Sequence, residues 1–415
     1  MRVAVVGGGV VGLCCAYSLR ERGMEVVLFE AGEVGGGASR GNAGWVVPSL
    51  STPLAAPGML ATGLHSALDP RGALIIRPGL DVAWIRWLWQ FRRSAGPERF
   101  SRGVRALIAL NERTFEALDG YRAAGVEFEM YATGMLVVAR EPSGLAWFQT
   151  LSDELARLGL GGELEALDGD AARQLEPALG DVVGAAMHTT VDRYVRPETL
   201  TAGLAEHLVA SGLDLRTREP VLAVARVGES WRVRTIAGAE DVDAVVLATG
   251  VAANTLLRLF GVRVPVVGAK GYSVTLEGVG TLPRHAVYLS EAKIGLSPFG
   301  ETLRIAGLFE LPGRSVEVDP ARARQIVEDA LPYLRDWRPT VADWTGRAWA
   351  GLRPATPDSL PLIGPVPHQQ RLYLATGHGM LGVTLAPATG LAIAEIIEQQ
   401  AVPHWLEPFR PDRAI

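Results

Sequence analysis

MRVAVVGGGVVGLCCAYSLRERGMEVVLFE, residues 1–30, decides the fold. Residues 2–6, RVAVV, are a short apolar run suited to a strand buried on both faces of a parallel sheet. Residues 10–23 carry Val10, Leu13, Cys14 and Tyr17 at helical core spacing and close on Gly23, a helix stop. Residues 25–30, EVVLFE, return to a strand. Between the first strand and the helix stands Gly7-x-Gly9-x-x-Gly12. Gly7 permits a tight turn. Gly9 lets the backbone approach a pyrophosphate at the helix N-terminus, and Gly12 lets helix and strand pack closely. Glu30 ends the second strand, about 20 residues on, where a carboxylate can accept the hydroxyls of an adenosine ribose. The glycine spacing alone is a weak signal. Strand, helix, second strand and acid together predict a dinucleotide-binding unit.

Outward from this unit, a glycine-rich loop, GEVGGGASRGNAG, covers residues 32–44. Residues 48–80 are rich in proline and glycine and are expected to be irregular, as a crossing between domains. Residues 81–125 and 143–176 are expected to be helical. Residues 212–248 show short strand patterns (LDLRTR, PVLAVARV, WRVRTI, DAVVLATG), as in a β-meander returning to a parallel strand. Further strands are expected at 265–276, 285–297, 302–310 and 371–377, and a helix from about Ala386 to Gln399. Dinucleotide-type elements thus lie at both ends and in the middle, which predicts domains discontinuous in sequence.

Composition bounds the function. The 415 residues are 48% apolar, with 48 glycines, so a globular chain of two packed domains is expected. The formal net charge of −5, with both signs interspersed, argues against a nucleic-acid partner. Cys14 and Cys15 are the only cysteines and adjoin on one helix; they suit neither a disulfide nor a metal site, and a reducing compartment fits. The seven histidines are scattered without metal-ligand spacing, so no metal is expected. Only Arg2 precedes the first apolar run, so no cleavable signal is expected. No apolar run approaches the roughly 20 residues of a membrane span. Together these readings point to a cytoplasmic protein.

A nicotinamide dehydrogenase would continue as strand–helix units through its first half. This chain instead carries the 32–44 loop, a distant meander ending in VVLATG (245–250), and a C-terminal strand entering ATGHGMLGVTLAPATG (375–390). With ASRGNAG (38–44), KGYS (270–273) and GLRPATPDSLPLIGP (351–365), nearly the whole chain resembles the FAD-dependent amine and amino-acid oxidoreductases, the superfamily of D-amino-acid oxidase, glycine oxidase and sarcosine oxidase. Within it the chain is most similar to small-subunit-type D-amino-acid dehydrogenases. The resemblance implies an α/β fold with an α+β second domain. A Rossmann-like FAD-binding domain would comprise 1–58, 190–264 and 345–400, and an antiparallel-sheet substrate-binding domain 59–189 and 265–344, leaving 401–415 as a C-terminal tail.

The resemblance also implies roles. Gly7, Gly9, Val10, Val11, Gly12, Glu30 and Ala31 would hold the ADP half of a non-covalently bound FAD. Ser39, Asn42, Ala43 and Gly44 would meet the pyrophosphate and ribityl region, largely through backbone N–H groups. Val221 would lend backbone contacts to the adenine, and Ala248, Thr249 and Gly250 would close under the ADP. Gly351, with His378, Gly379, Met380, Leu381, Gly382, Val383 and Thr384, would line the isoalloxazine. The following helix could aim its positive end at the flavin O2/N1 edge.

No nucleophile–base constellation is present, and no acid–base residue is expected. This fits the implied chemistry, in which a hydride leaves the α-carbon of a neutral amine for flavin N5 and the imino acid is hydrolysed to a keto acid. Electrons would pass to a quinone, another acceptor or O₂. A secondary amino acid such as glycine, sarcosine, proline or hydroxyproline is an alternative substrate, and a subunit of a larger dehydrogenase complex an alternative role. Arg353, in Gly351-Leu352-Arg353-Pro354, matches the arginine that holds the substrate carboxylate in the glycine-oxidase type. Its planar fork can fix the α-carbon in distance and rotation. Pairing with Asp358 is the structural alternative. Trp45 is expected as a pocket wall or as packing between domains, Tyr272 as a substrate neighbour or a plain strand residue, and His378 as a packed residue beside the substrate. LDVAWIRWLWQFRR (80–93) reads as a helix with a narrow polar stripe at Arg86, Gln90 and Arg93. It is expected to wedge between domains, or alternatively to touch the inner face of a membrane peripherally.

Overall fold

Strand β1 (Arg2–Val6), helix α1 (Val10–Glu21) and strand β2 (Glu25–Phe29) form in the computed structural model as their pattern requires. Residues 1–57, 69, 71–157, 164–278, 280–344 and 346–415 are described. Parts of the expected crossing (58–68 and 70) and of the expected helical stretch (158–163), with positions 279 and 345, lie outside the described residues.

β1 is the centre of a six-stranded sheet of order β3–β2–β1–β4–β10–β9, with β3 at Asp214–Arg216, β4 at Ala244–Leu247, β9 at Leu362–Pro365 and β10 at Leu372–Thr376. All neighbours run parallel except β9, which is antiparallel to β10. Burial on both faces explains the unbroken apolar runs: Val3, Ala4 and Val5 are fully buried, as are Val245, Val246 and Leu247. α1 covers one face beside α5 (Gly382–Gln399), and the meander Val221–Val227, Ser230–Thr235 and Ala239–Val242 covers the other. α5 with its leading turn, Gly379–Gln399, is long and apolar enough to cross a membrane, yet 72% of its most apolar stretch is buried inside the fold, as in a core helix. Its Gly, Thr and Pro residues kept it from reading as one apolar run.

A second, nine-stranded sheet carries β8 (Ala348–Ala355), β5 (Val267–Glu277), β7 (Thr302–Leu311) and β6 (Ile294–Phe299) as neighbours in that order. It continues through Ala286–Leu289, Met135–Ala139, Ala185–Thr189 and Leu164–Asp168, with Leu74–Ile76 beside β7. It is antiparallel save for two parallel pairs, at Ala286–Leu289 with Met135–Ala139 and at β7 with Leu74–Ile76. Residues 348–355, expected with the nucleotide half, are therefore an edge strand of this sheet, because their backbone pairs along β5 from Val267 to Val274.

Other expectations change in detail. The helical stretch 81–125 is three helices, α2 (Val82–Ser94), Pro97–Asn111 and Thr114–Ala123, interrupted at Gly96-Pro97, where the proline starts a new first turn. Leu164–Asp168, expected helical, is a strand because it ladders with Ala185–Thr189. Residues 285–297 form a hairpin of two strands with Lys293 in the left-handed conformation at its turn. α5 begins at Gly382 rather than Ala386, so Pro387 sits inside the helix instead of at its start. The segment 401–415 is no loose tail: Leu406 and Phe409 are fully buried, and Arg413 pairs with Asp358 at 2.8 Å.

Candidate active site

The nucleotide end is built from backbone. At Gly12 a Cβ would overlap the Gly7 carbonyl, and at Gly7 it would meet the Ala248 carbonyl, so helix, turn and β4 can close only with glycine there. Gly9 caps α1 with no side chain, leaving the first turn open toward the loop, where Ser39 Oγ accepts the Val10 N–H at 3.0 Å. Glu30 is oriented by two backbone donors, Gly8 N–H at 2.6 Å and Gly32 N–H at 2.8 Å. Residues 218–219 join the same corner through the Arg218 N–H to the Gly32 carbonyl and the Glu219 N–H to the Glu30 carbonyl, which brings Val221 alongside. Ala31 is exposed at the rim. Thr249 Oγ1 is buried without a protein partner among the described residues. An open helix N-terminus, a fixed carboxylate and an orphan hydroxyl around one glycine turn fit a bound dinucleotide.

The 39–44 loop is held by side chains from distant elements. Arg304 of β7 donates to the Asn42 carbonyl at 2.9 Å and to Glu198 at 2.7 and 3.2 Å. Glu198 opens helix α3 (Pro197–Ala210) and also accepts the Gly41 N–H at 3.4 Å. Burial pushes the Glu198 carboxyl up, but Arg304 outweighs it and leaves the group below its ordinary pKa. Ser297 Oγ donates to the Ala43 carbonyl at 2.7 Å, and Asn42 Oδ1 accepts the Gly44 N–H at 2.7 Å. Thr384, on the first turn of α5, donates to the Trp45 carbonyl at 2.8 Å. Neither Arg304 nor Glu198 carries a sequence signal of this role; each is one charge in an otherwise ordinary strand or helix start.

Alternation along β8 and β5 sorts the remaining candidates by face. Trp349, Gly351 and Arg353 share a face with Gly271 and Ser273, and Gly271 stands directly opposite Gly351. Both neighbours lean into the bare strip: a Cβ on Gly351 would meet the Trp349 indole, and one on Gly271 the Arg353 guanidinium. Trp349 also packs beneath Gly41 of the loop. Tyr272 points the other way, into a core with Val274, Ile305 and Ile326 of helix α4 (Pro320–Ala330), so the fold does not bring it to Arg353.

Arg353 has no carboxylate partner among the described residues; Asp358 is taken by Arg413. Its Nη1 donates to the Leu308 carbonyl at 2.9 Å, and its Cζ lies 5.6 Å from the Phe309 ring centre. Leu308 has a left-handed backbone, φ 64°, at the bulge where Lys270 pairs with Glu310 and Tyr272 with Gly307; the bulge turns that carbonyl toward the arginine. Part of the Arg353 side chain remains accessible, while burial of the guanidinium lowers its pKa to about 10. It is still a cation near neutral pH, and an orphan one.

His378 pairs by a backbone bridge with Ala355, beside Arg353 on β8. Its Nε2 shares a hydrogen bond of 2.9 Å with Thr389 Oγ1, and burial lowers its pKa to about 3, so the ring is neutral. Gly379, Met380 and Leu381 form the turn leading into α5, whose N-terminus has no side-chain cap. A narrow cleft runs from this turn past Leu54, Trp87, Phe91 and Phe309. Trp45 lies on the same sheet face but farther across: its indole covers Gly295, meets Tyr288 edge-on at 5.8 Å, and donates to Ser297 at 2.8 Å. Gln90 of α2, expected on a polar stripe, is buried and reaches the Ile415 carbonyl at 3.4 Å.

Comparison with known proteins agrees with this architecture. The family model described as "FAD dependent oxidoreductase" matches residues 2–396. D-amino acid dehydrogenase 2 of Ralstonia nicotianae is 33% identical over 97% of both chains. In fold, the chain is similar to glycine oxidase from Geobacillus kaustophilus (TM-score 0.75, 23% identity, covering 100% of this chain and 99% of that one). It is similar also to L-proline dehydrogenase from P. horikoshii (TM-score 0.72, 20% identity, covering 99% and 96%). The match over residues 2–396 and the 33% identity over 97% of both chains show that the chain belongs to the DAO family of FAD-dependent oxidoreductases.

Proposed function

We propose that this enzyme oxidises the α-carbon–nitrogen bond of a D-amino acid and passes the electrons from FAD to a quinone or another acceptor. The observation that carries the reading is Arg353, a half-buried cation with no carboxylate partner among the described residues, two positions along β8 from the Ala355–His378 bridge that leads into α5. The 33% identical D-amino acid dehydrogenase 2 supports the substrate class. FAD, when bound, supplies the two-electron acceptor for the hydride of the α-carbon. The chain supplies geometry. Arg353 grips the carboxylate with two N–H groups and so fixes distance and rotation. The facing glycines Gly271 and Gly351 let the guanidinium and the Trp349 indole lie directly on the sheet, which sets the position of the fork. Neutral His378, already bonded to Thr389, takes no proton. FAD is held without a covalent bond to cysteine: Cys14 and Cys15 are buried in α1, and burial pushes the Cys14 thiol up to about 12.

The test is anaerobic bleaching of the purified yellow enzyme by D- and L-amino acids. Arg353→Ala should lower reduction efficiency well over tenfold, since an unpaired buried charge partner costs about 2–5 kcal/mol, with FAD content unchanged. Arg353→Lys should recover part of the loss, and an amine lacking a carboxylate should reduce mutant and parent alike. Parental rates with amino acids in Arg353→Ala would make the arginine structural.

The outer face of α2 supports a peripheral contact with an anionic membrane surface. Val82, Ile85 and Trp89 lie at helical spacing and are 80%, 51% and 54% exposed, and Arg93 covers the Trp89 ring at 4.6 Å. Co-sedimentation with vesicles containing phosphatidylglycerol, lost in Trp89→Ser and absent with neutral vesicles, is the expected result.

A further inference from the structure

We infer that the groove between the start of α2 and the loop joining β7 to α4 holds the phosphate headgroup of an anionic phospholipid. This rests on the reading that the outer face of α2 meets a membrane, and it adds a defined site to that reading. The groove encloses about 750 Å³, within the range of small-molecule sites. Residues 77–81 form one wall and 312–315 the other, with Lys270 of β5 and Glu310 of β7 between them. The Lys270 ammonium lies 5.1 Å from the Tyr272 ring centre, on the sheet face turned away from Arg353, so this is not the substrate site.

Both walls are pinned. The Arg77 N–H donates to the Leu311 carbonyl at 2.6 Å, and the Arg77 carbonyl accepts the Trp84 indole N–H at 3.2 Å. The Gly313 N–H donates to the Gly268 carbonyl at 2.7 Å, and a Cβ on Gly313 would meet Leu352 and Lys270. The groove is thus shaped by backbone tied to β5 and β7.

Its charge suits an anion. Arg77, Lys270 and Arg314 line it, against the carboxylates of Asp81 and Glu310. Both acids are engaged. Asp81 caps α2 by accepting the Ala83 N–H at 2.8 Å, and buried Glu310 accepts from Arg322 at 2.8 Å as well as from Arg77 at 3.2 Å. Neither Lys270 nor Arg314 meets a carboxylate among the described residues; Lys270 donates to the Glu317 carbonyl. A phosphate diester brings the charge and the acceptor oxygens that these donors lack. The rim decides between a lipid and a free phosphate ester. Leu80, which lines the groove, is 95% exposed, Val316 beside Ser315 is 60% exposed, and Val82 and Ile85 continue the apolar surface along α2. A cation-lined groove ringed by exposed apolar residues matches a charged headgroup that carries acyl chains.

The probe is dihexanoylphosphatidylglycerol below its micelle-forming concentration, titrated calorimetrically into the FAD-loaded enzyme. One saturable site is expected, at least about tenfold tighter than for glycerophosphoglycerol, the same headgroup without acyl chains, or for zwitterionic dihexanoylphosphatidylcholine. Arg314→Ala and Lys270→Gln should each weaken it about tenfold, the loss of one charge-assisted hydrogen bond. Arg314 is exposed, so its variant probes the site without disturbing the core. Arg92→Ala, on the exposed side of α2 outside the groove, should leave this binding unchanged and weaken binding to phosphatidylglycerol vesicles about fivefold, as any surface cation would. Absent short-chain binding, or binding unmoved in both groove variants, while vesicles still bind, overturns the headgroup site and leaves the α2 contact standing. Glycerophosphoglycerol binding as tightly as the lipid makes the groove a small-anion site and overturns the lipid. A parent that ignores phosphatidylglycerol vesicles overturns the membrane reading of α2, and the lipid occupant with it.

Discussion

Gly12 and Gly271 both stand where a Cβ has no room, but against different neighbours. At Gly12 the obstacle is the Gly7 carbonyl, part of the backbone that forms the nucleotide turn. At Gly271 it is the far end of the Arg353 side chain. The first site is thus specified by main chain within one βαβ unit. The second is specified by side chains from strands about 80 residues apart, 267–277 and 348–355. Backbone cannot yield without losing the turn, whereas a guanidinium can swing aside and leave the fold intact. The two ends of the cofactor path should therefore fail differently when the same small group is added.

The largest failure is expected at the nucleotide end. Gly12→Val should give protein without flavin, because overpacking against a fixed carbonyl parts α1 from β1; the added strain is of the order of 1–3 kcal/mol or more. Absorbance of the purified protein near 450 nm, with circular dichroism to follow the fold, checks it. A yellow Gly12→Val would mean that the turn is looser than its packing indicates.

Between the two ends lies the Arg304–Glu198 pair, which ties the 39–44 loop to the second sheet. Arg304→Met should cost about 1–3 kcal/mol, because Glu198 is one-third exposed and water relieves part of the carboxylate left behind, and should weaken FAD binding as well. Arg304→Met with Glu198→Gln should recover part of the stability, since the uncompensated carboxylate is then gone. The pH dependence has a sign. In the parent, the Glu198 pKa is depressed, so its contribution is present above the ordinary carboxylate value and is lost as pH falls through its lowered one. In Arg304→Met, only the backbone N–H groups of Glu198 and Gly41 still oppose burial, so that pKa moves up from its parental value and the variant loses less of its stability as pH falls. Thermal melts of apo and FAD-loaded protein at several pH values separate these effects.

The same contrast explains what could be read from the sequence. The βαβ unit, Glu30, the meander and the C-terminal strand and helix were legible because each rests on local periodicity or a short glycine pattern. Arg353 was legible only through resemblance, and its lack of an acid required the fold: Asp358, five residues on, turns instead to Arg413. For Tyr272 the two expectations differed by parity, and the core position is that of the plain strand residue. In a strand, one residue decides the face, and nothing in KGYS says which face meets the loop. Arg304, Glu198, Trp87 and Phe309 were not anticipated, since they meet the site from three elements far apart in sequence. Leu164–Asp168 reads as helix until the ladder with Ala185–Thr189 supplies its hydrogen bonds.

At the sheet end the corresponding change is milder. Gly271→Ala should leave FAD content at the parental level, because the three atoms nearest an added Cβ all belong to the Arg353 guanidinium, the far end of a side chain that can move. It should displace Arg353 by about an ångström, and misplacement of that size can cost about a hundredfold in the chemical step. Rapid-mixing measurement of anaerobic flavin reduction checks it, and a parental rate would show that Arg353 adjusts without loss of register.

The smallest expected effect reverses that dissociation. Glu30 holds two backbone N–H groups, from Gly8 and Gly32, at distances typical of strong charge-assisted bonds. Its remaining lone pairs are available to a ribose hydroxyl, the role expected of this acid from the sequence. Glu30→Ala removes the ribose contact and frees the two loop donors, which water can then satisfy because the group is only part-buried. The helix, the glycine turn and β4 keep their packing, so the fold should persist. The loss should be of the order of one charge-assisted hydrogen bond, about 1.5 kcal/mol, or about tenfold in FAD affinity. Once saturated with FAD, the variant should be reduced by substrate at the parental rate, because Arg353 and the cleft lie at the other end of the path. Titration of apo protein with FAD, followed by flavin fluorescence, gives the affinity; stopped-flow reduction at saturating FAD gives the rate. Unchanged affinity would remove Glu30 from the ribose site, and a slowed reduction at full occupancy would mean that the two ends are coupled through the 39–44 loop rather than independent.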